Sequence, residues 1–173
     1  MAFTNFNGTN SETLIRTILI DDEAHARETL ASLIALYCPQ LKIIGDADSV
    51  AGGLKAIREL RPQLVLLDVK MDDGTGFDLL REVPGVDFKV IFITAYEKYA
   101  VQAFRFAAVD FLLKPVNPLE LADAVKHAET LILEHFTTQL RALEENLRTD
   151  IRQKRKIVLK TLDNIHLVEI QEI

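Results

Sequence analysis

The 173-residue sequence contains little cysteine and no long apolar run. Its single cysteine, Cys38, excludes an internal disulfide and a thiolate metal cluster, and its apolar surroundings predict a buried thiol. No apolar run reaches the roughly 18 to 20 residues of a membrane span, so we expect no membrane contact. The first ten residues do not resemble a signal peptide. We therefore expect a cytoplasmic protein in which residues 1–15 form a flexible N-terminal segment.

Basic residues are also in the minority. Lys and Arg number 20 against 26 Asp and Glu, which gives a net charge of -6. Such a chain does not attract nucleic acid or anionic lipid as a whole, so contact with either requires a local patch. The composition, 49% hydrophobic and 27% charged, excludes disorder along the whole chain and indicates a folded globular protein.

Five short runs rich in Ile, Leu, Val and Phe recur along the chain, at 17–20, 42–45, 64–67, 90–93 and 111–113. They are nearly continuous and do not alternate with polar residues, as expected of parallel strands that are covered on both faces. Helical patterns lie between them. Ser49 is predicted to cap the second helix and Asn117 the fifth. The sequence therefore predicts an α/β fold with a doubly wound sheet.

The fifth predicted helix continues well beyond the length needed to cover a sheet. Apolar residues recur to Leu147 without a glycine or proline, and the helix is expected to run to about residue 152. Its second half is either an exposed amphipathic helix or a stalk that pairs with a partner. Beyond it, residues 157–159 and 165–167 alternate around Asp163-Asn164, which predicts a hairpin.

Polar side chains follow four of the five predicted strands: Asp21 and Asp22, then Asp68, Thr94 and Lys114. In an open parallel α/β sheet, these positions meet at one edge, where ligands bind. Each residue alone has an ordinary explanation, as a solvated loop acid, a turn former or a surface lysine. Their joint occurrence, each at the end of its own strand, favours a common site.

The three aspartates would repel one another unless a cation lay between them. Mg²⁺ prefers carboxylate, carbonyl and water oxygens and is commonly completed by a phosphate oxygen. Lys114 can neutralise an incoming phosphoryl oxygen or pair with Asp68 when the site is empty. Thr94 can donate its hydroxyl to the same group, and the small Ala95 leaves room beside it.

These motifs resemble the receiver domain of bacterial two-component response regulators. The resemblance covers about residues 16–135 and rests on Ile18-Leu-Ile-Asp-Asp-Glu23, Leu66-Leu-Asp-Val69, Ile93-Thr-Ala95 and Asp110-Phe-Leu-Leu-Lys-Pro115. It implies a flavodoxin-like five-stranded parallel sheet of order 2-1-3-4-5. It also implies a sensor histidine kinase as the phosphoryl donor.

The resemblance further implies a role for each site residue. Asp68 would be the phosphoacceptor, and Asp21 and Asp22 would hold Mg²⁺ together with Asp68 and the backbone carbonyl of Lys70. The phosphoryl group would contact Thr94, Ala95 and Lys114, and the Lys114-Pro115 bond is expected to be cis. Phe111 falls at the position of the family's aromatic switch residue and would move together with Thr94.

By the same analogy, phosphorylation would change the surface of the fourth helix, fifth strand and fifth helix and favour a homodimer. Tyr99, Phe104 and Phe106 would supply apolar area there, with Tyr99 the best candidate for exposure. Core packing is the alternative for any one of these rings.

The C-terminal part resembles regulators with a LytTR-type DNA-binding output domain. This second resemblance rests on the spacing from Tyr96 to Pro115 and on Lys156-Ile-Val-Leu-Lys-Thr-Leu-Asp-Asn-Ile-His166. It implies a receiver at 16–135, a helical linker at 136–155 and the start of an incomplete output domain at 156–173. Specific DNA binding would require the output domain and would not come from this chain alone.

The loop after the phosphoacceptor departs from the family pattern, because Asp72 replaces the proline that often follows Met71. A differently shaped and more acidic loop is therefore expected. Lys70 and the bulky Tyr96 lie two residues beyond Asp68 and Thr94, respectively. We hypothesise that they shield the phosphoryl group from water and prolong the lifetime of the aspartyl phosphate.

Three other functions fit parts of the pattern. Asp73-Gly74-Thr75 mimics the end of the haloacid dehalogenase phosphatase signature, but Met71 occupies the nucleophile position. A flavodoxin would require a hydroxyl- and glycine-rich phosphate loop where this chain has Asp21 and Asp22. A receiver-like interaction module that is never phosphorylated remains an alternative, although the complete acidic set argues against it.

Overall fold

The computed structural model describes residues 14–83, 85, 87–149, 155–160 and 165–170. Within these residues, seven strands and five α-helices precede the C-terminal hairpin. The strands are β1 (Ile15–Ile20), β2 (Leu41–Ala47), β3 (Leu64–Leu67), β4 (Lys70–Met71), β5 (Gly74–Thr75), β6 (Lys89–Thr94) and β7 (Asp110–Leu113). The helices are α1 (Ala24–Tyr37), α2 (Val50–Leu60), α3 (Gly76–Arg81), α4 (Ala100–Arg105) and α5 (Pro118–Thr149), and a short 3-10 helix (Glu97–Tyr99) leads into α4.

Five strands form one parallel sheet in the order β2-β1-β3-β6-β7. Counting the strands of this sheet alone, the order is 2-1-3-4-5, so the predicted flavodoxin-like α/β fold is confirmed. All five predicted runs lie within its strands. The run at 64–67 coincides with its strand, and the structure extends the other four by one to three residues, because backbone pairing continues past the apolar residues.

Alternate residues of each central strand point into two separate cores. Ile18 and Val65 pack with α2 and α3 on one face, whereas Leu19 and Leu66 pack with α1 and α5 on the other. All four side chains are at most 2% exposed. Burial on both faces explains why these strands are continuously apolar.

The predicted helix caps are present. The hydroxyl of Ser49 accepts a hydrogen bond of 3.2 Å from the Gly52 amide at the start of α2. The carbonyl oxygen of the Asn117 side chain accepts one of 2.9 Å from Leu119 at the start of α5. Each cap satisfies an amide that has no partner within its helix, which fixes where the helix begins.

The loop after β3 contains an antiparallel ribbon of β4 and β5 that the sequence did not predict. Asp73 tethers this ribbon to α2, because its carboxylate oxygens accept hydrogen bonds of 2.8 and 3.1 Å from the Val50 and Ala51 amides. At the end of the ribbon, Gly76 packs against the carbonyl of Asp68, where a Cβ atom would collide with the backbone. The loop is therefore held closely against the sheet edge.

Helix α5 is 32 residues long and confirms the predicted extension past the sheet.

Strands β8 (Arg155–Lys160) and β9 (Ile165–Ile170) pair antiparallel, as predicted for a hairpin, with Leu159 opposite His166. The turn residues Asp163 and Asn164 lie outside the described residues, as do residues 1–13 of the predicted flexible segment at 1–15. The last residue of that segment, Ile15, begins β1, because its backbone pairs with β2. No helix among the described residues is long and apolar enough to span a membrane. The domain boundaries at 16–135, 136–155 and 156–173 stay predictions.

Candidate functional site

The polar residues singled out in the sequence meet at the carboxyl edge of the parallel sheet. Asp21 directly follows β1, Asp68 follows β3, Thr94 is the last residue of β6, and Lys114 follows β7. These strands are neighbours in the sheet, so the topology alone brings their ends together.

Three carboxylates form the centre of the site. Oxygens of Asp21, Asp22 and Asp68 all lie within 4.8 Å of one another. Asp21 is 5% exposed and Asp68 is 4% exposed, whereas Asp22 is half-buried. A compact, partly buried set of hard oxygen donors that opens toward solvent through Asp22 fits Mg²⁺, which binds through a few carboxylates and keeps several waters.

The ammonium of Lys114 pairs with this cluster. Its Nζ lies 2.7 Å from Oδ2 of Asp21 and 3.2 Å from Oδ2 of Asp68. Glu23 is more distant, at 3.9 Å, and largely exposed. The Lys114-Pro115 peptide bond is cis, as the resemblance implied. Lys114 thus provides one positive charge for a cluster that carries three negative charges.

The charge balance is visible in the pKa values. Burial raises the pKa of Asp21 above its ordinary value, and this effect outweighs its hydrogen bonds with Lys114 and the Glu23 amide. Burial alone would lower the pKa of Lys114, but its hydrogen bonds and attraction to Asp21 and Asp68 raise the pKa above the ordinary value. The lysine therefore stays charged. Its single charge does not fully offset the burial of Asp21, as expected of a site that accepts a further cation.

Backbone donors orient the Asp68 side chain. Its Oδ1 accepts hydrogen bonds of 2.6 Å from the Val69 amide and 3.3 Å from the Lys70 amide. Its Oδ2 accepts from Lys114 alone among the described residues. The two oxygens consequently differ: the loop holds Oδ1, and Oδ2 faces the lysine.

Thr94 is fully buried, and its hydroxyl has no hydrogen-bond partner. It is the single buried side-chain polar atom in that condition among the residues described in the structure. An unpaired buried hydroxyl costs roughly 1 to 3 kcal/mol. The hydroxyl is therefore a donor without an acceptor. It lies at the end of β6, the strand next to β3.

Two exposed side chains contact each other in the loops that follow Asp68 and Thr94. The ammonium of Lys70 lies 5.5 Å from the centre of the Tyr96 ring, within the range of a cation-π contact. Tyr96 is 39% exposed, and Ala95 beside it is exposed as well. The residues two positions beyond Asp68 and Thr94 therefore contact each other.

The predicted switch and interface residues occupy different environments. Phe111 is half-buried and packs against the core cluster of α2 and α3. The expectation that Tyr99 is the best exposed of the three interface rings is wrong, since Phe104 is 82% exposed and Tyr99 is half-buried. The rings of Tyr99 and Phe106 lie 6.0 and 5.1 Å from that of Phe77, and these contacts hold them against the core.

Sequence reasoning missed two residues that support the site. The guanidinium of Arg27 donates 2.6 Å to the Asp21 carbonyl and pairs at 2.9 Å with Asp46 at the edge strand β2. Asp73 fastens the loop that carries Lys70. Neither residue lies in the motifs that carry the receiver resemblance, and each acts through a contact more than 15 positions away or through the backbone, so only the fold reveals its role.

Comparisons with known proteins agree with this geometry. The family model described as "Response regulator receiver domain" matches residues 17–126. An uncharacterized response regulatory protein of Vibrio parahaemolyticus is 42% identical over 127 residues, which are 73% of this chain and 52% of that protein. The sensory transduction protein LytT of Bacillus cereus is 29% identical over 167 residues, covering 92% of this chain and 64% of its own.

Solved structures show the same fold. The REC domain of AraT, a response regulator from Geobacillus stearothermophilus, has a TM-score of 0.63 at 26% identity and covers 70% of this chain and 98% of its own. The response regulatory domain of protein mrkE from Klebsiella pneumoniae has a TM-score of 0.64 at 25% identity. The match covers 69% of this chain and 99% of that domain's chain. The chain spans about half the length of the Vibrio relative. With the family model matched over most of the sheet and its site, the chain belongs to the response regulator receiver domain family.

Proposed function

We propose that the chain is a phosphoacceptor signalling protein that receives a phosphoryl group on Asp68 from a sensor histidine kinase. The observation that carries this proposal is the placement of the Asp68 carboxylate, with Oδ1 held by two amides and Oδ2 facing the Lys114 ammonium. Such a site offers an oriented nucleophile and a positive charge on the side that meets an incoming phosphoryl oxygen. It changes its own covalent state and does not turn over a substrate.

In the proposed step, Oδ2 of Asp68 attacks the phosphorus of a phosphohistidine. A P–O bond forms, the P–N bond breaks, and the imidazole leaves with the bonding electron pair and takes up a proton. Phosphoryl transfer of this kind depends mainly on positioning and charge neutralisation. Lys114 exchanges its contact with the carboxylate for one with a phosphoryl oxygen, and the Thr94 hydroxyl donates to another.

Mg²⁺ would be held by Asp21, Asp22 and Asp68 together with the Lys70 backbone carbonyl, and bound there it would neutralise developing charge on the phosphoryl oxygens. Asp21 is kept in place by Arg27, which donates to its carbonyl. Asp68 is kept in place by the loop amides. Two of the carboxylates are thus preorganised before an ion binds.

The added phosphoryl carries about -1.5 to -2 charges at neutral pH. We propose that it draws Thr94 and Lys114 inward and that the half-buried Phe111 follows into the space near Thr94. The face of α4, β7 and α5 would then rearrange. That face already exposes apolar side chains, with Val101 73%, Phe104 82%, Leu113 40% and Leu119 70% exposed. It is the surface on which we expect a phosphorylation-dependent homodimer.

Transcriptional control and DNA contact are proposed for a LytTR-type output domain, of which residues 156–173 would be the first part, and not for the receiver. The family-level similarity to LytT extends across 92% of this chain and so reaches beyond the end of α5. A cytoplasmic location accords with a phosphoryl donor of the histidine kinase class.

The experiment is phosphorylation of the chain with acetyl phosphate, followed by intact-mass spectrometry and peptide mapping. We expect an adduct of about 80 Da on Asp68, the mass of one phosphoryl group, formed in Mg²⁺ and lost when EDTA is present. Asp68→Asn should abolish it, and Asp72→Asn, an exposed acid on the adjoining ribbon, should not. The proposal is wrong if no donor gives an adduct at Asp68.

The phosphatase alternative is disfavoured by the ribbon. Both carboxylate oxygens of Asp73 are occupied by amides of α2, and Met71 at the nucleophile position is 4% exposed. Absence of p-nitrophenyl phosphate turnover by a protein that becomes phosphorylated on Asp68 would exclude this alternative. An interaction module that is never phosphorylated would instead remain without an adduct.

A further inference from the structure

Helix α5 presents an apolar seam that its own domain covers only in part. Leu133, Phe136 and Leu140 are 58%, 58% and 45% exposed, respectively. In the sequence, Leu143 and Leu147 continue the same series. The spacing of these five residues is 3, 4, 3 and 4, which is the alternation of a and d positions in a heptad repeat. We call this set the α5 seam.

The α5 seam lies on a different side of the helix from the residues that hold α5 on the sheet. Leu121, Val125 and Ala128 are buried against the second core cluster, and Ile132 packs against the same cluster. At 100° per residue, the mean direction of the α5 seam is rotated by roughly 70° from this buried stripe. A second helix can therefore lie along the α5 seam while α5 stays docked on its own sheet.

The residues around the α5 seam favour a second copy of the same helix as the occupant. With Leu133 at position a, the flanking e and g positions are Thr137, Gln139, Glu144 and Asn146. Only one of these four is charged, so two identical helices would bring few like charges together. The charged Lys126 and Glu129 occupy the preceding a and d positions, which sets the start of the apolar seam at Leu133.

We propose that two copies of this chain associate through the α5 seam as a parallel, two-stranded coiled coil, independently of phosphorylation. The seam spans about 21 Å at 1.5 Å per residue, which is two heptads. In a parallel dimer with twofold symmetry, each seam residue meets its own counterpart. This contact is distinct from the proposed face of α4, β7 and α5 and requires neither Asp68 nor Mg²⁺.

The test is the mass in solution of the unphosphorylated 173-residue chain, measured by sedimentation equilibrium over a concentration series without any phosphoryl donor. We expect a dimer fraction that rises with concentration in the wild type and is lost in Leu140→Lys. The matched control is Thr138→Lys, which places the same side chain on the same turn at the opposite side of the helix. A second control, Phe104→Lys, alters the face of α4 and should leave the unphosphorylated dimer intact.

The direction of the helices is tested by Leu133→Cys at one end of the α5 seam, since Cys38 is fully buried. Oxidation should link two copies in a parallel dimer, whereas an antiparallel pair with aligned seams would hold the two thiols about 21 Å apart. The proposal is overturned if the wild type is monomeric at every soluble concentration, as it would be if the β8–β9 hairpin covered the seam. It is also overturned if Leu140→Lys still dimerises, if both lysine variants of α5 lose the dimer, or if Leu133→Cys does not cross-link.

Discussion

The ammonium of Lys114 lies 3.2 Å from Oδ2 of Asp68, although 46 residues separate the two in the chain. The same ammonium is 2.7 Å from Asp21. One cation is thus shared between two nearly buried carboxylates. Under the proposed function, it would release at least one of them when a phosphoryl group is added.

Removal of the lysine charge should destabilise the metal-free protein. Lys114→Ala leaves Asp21 and Asp68 buried without a countercharge, and we expect a loss of about 1 to 3 kcal/mol in the free energy of unfolding. Excess Mg²⁺ should restore much of this loss. Urea denaturation in EDTA and in Mg²⁺ measures both effects, with Lys126→Ala on the exposed side of α5 as the control. Equal stability of Lys114→Ala and the control in EDTA would contradict the expectation.

Magnesium itself should stabilise the folded chain, because the unfolded chain has no cluster of three carboxylates. At 100 times the dissociation constant, the expected gain is about 2.7 kcal/mol. Asp22→Asn should weaken this gain, while Glu59→Gln, which alters an exposed acid on α2 outside the cluster, should not. Thermal unfolding across a Mg²⁺ titration provides the measurement, and an unchanged Tm in the wild type would refute a metal site.

Removal of the unpaired Thr94 hydroxyl should affect stability and signalling in opposite directions. Thr94→Val removes a buried donor without a partner and keeps the side-chain shape, so the unphosphorylated variant should be more stable by about 1 kcal/mol. The same variant should no longer respond to beryllofluoride, a phosphoryl mimic, by changing its mass in solution. A destabilised variant would show that the hydroxyl already has a partner in the resting protein.

The hydrogen bonds of Asp73 to α2 predict that the free energy of unfolding depends on pH. Hydrogen bonds from the Val50 and Ala51 amides hold the pKa of Asp73 below its ordinary value. A carboxyl group with a lowered folded-state pKa stabilises the protein above the unfolded-state value near 3.8 and loses this contribution as the pH falls. Asp73→Ala should cost about 1 kcal/mol at pH 7, and the difference from the wild type should narrow below pH 4. Urea unfolding at pH 7 and below pH 4 measures this difference in stability, with Asp72→Ala as the control.

The contact between Lys70 and Tyr96 bears on the lifetime of the aspartyl phosphate. If this pair shields the acyl phosphate from water, then Lys70→Ala and Tyr96→Ala should each lose the adduct several times faster than the wild type. Intact-mass spectrometry after removal of the donor follows the decay. Lys98→Ala, which removes a similar contact over Tyr99, is the control. An unchanged rate of adduct loss in both Lys70→Ala and Tyr96→Ala would rule out the shielding role.

Much of the site could be predicted from the sequence because its residues sit at strand ends. Apolar runs identify the strands, and the residue after each run falls at one edge once the strands are parallel. Asp21, Asp68, Thr94 and Lys114 were found in this way and are brought together by the structure. The extension of α5 past the sheet was equally visible, since helical periodicity is a local property.

Other features depend on contacts between distant segments. The sequence suggested that Tyr99 would be exposed, but the ring of Phe77 from α3 holds it against the core and leaves Phe104 at the surface. Arg27 and Asp73 support the site through contacts with the Asp21 carbonyl and with the start of α2. No local pattern encodes such contacts, because they exist only after the loops have been placed side by side.

The sequence by itself determined the order of the elements, the edge where the acids gather and the length of α5. These follow from hydrophobic periodicity and cap residues, which act over a few neighbouring positions. The tertiary structure decided which charge meets which, that Thr94 is buried without a partner, and which aromatic rings face solvent. Burial and electrostatic balance depend on the whole set of surrounding atoms, so they are settled only when the sheet and its helices pack.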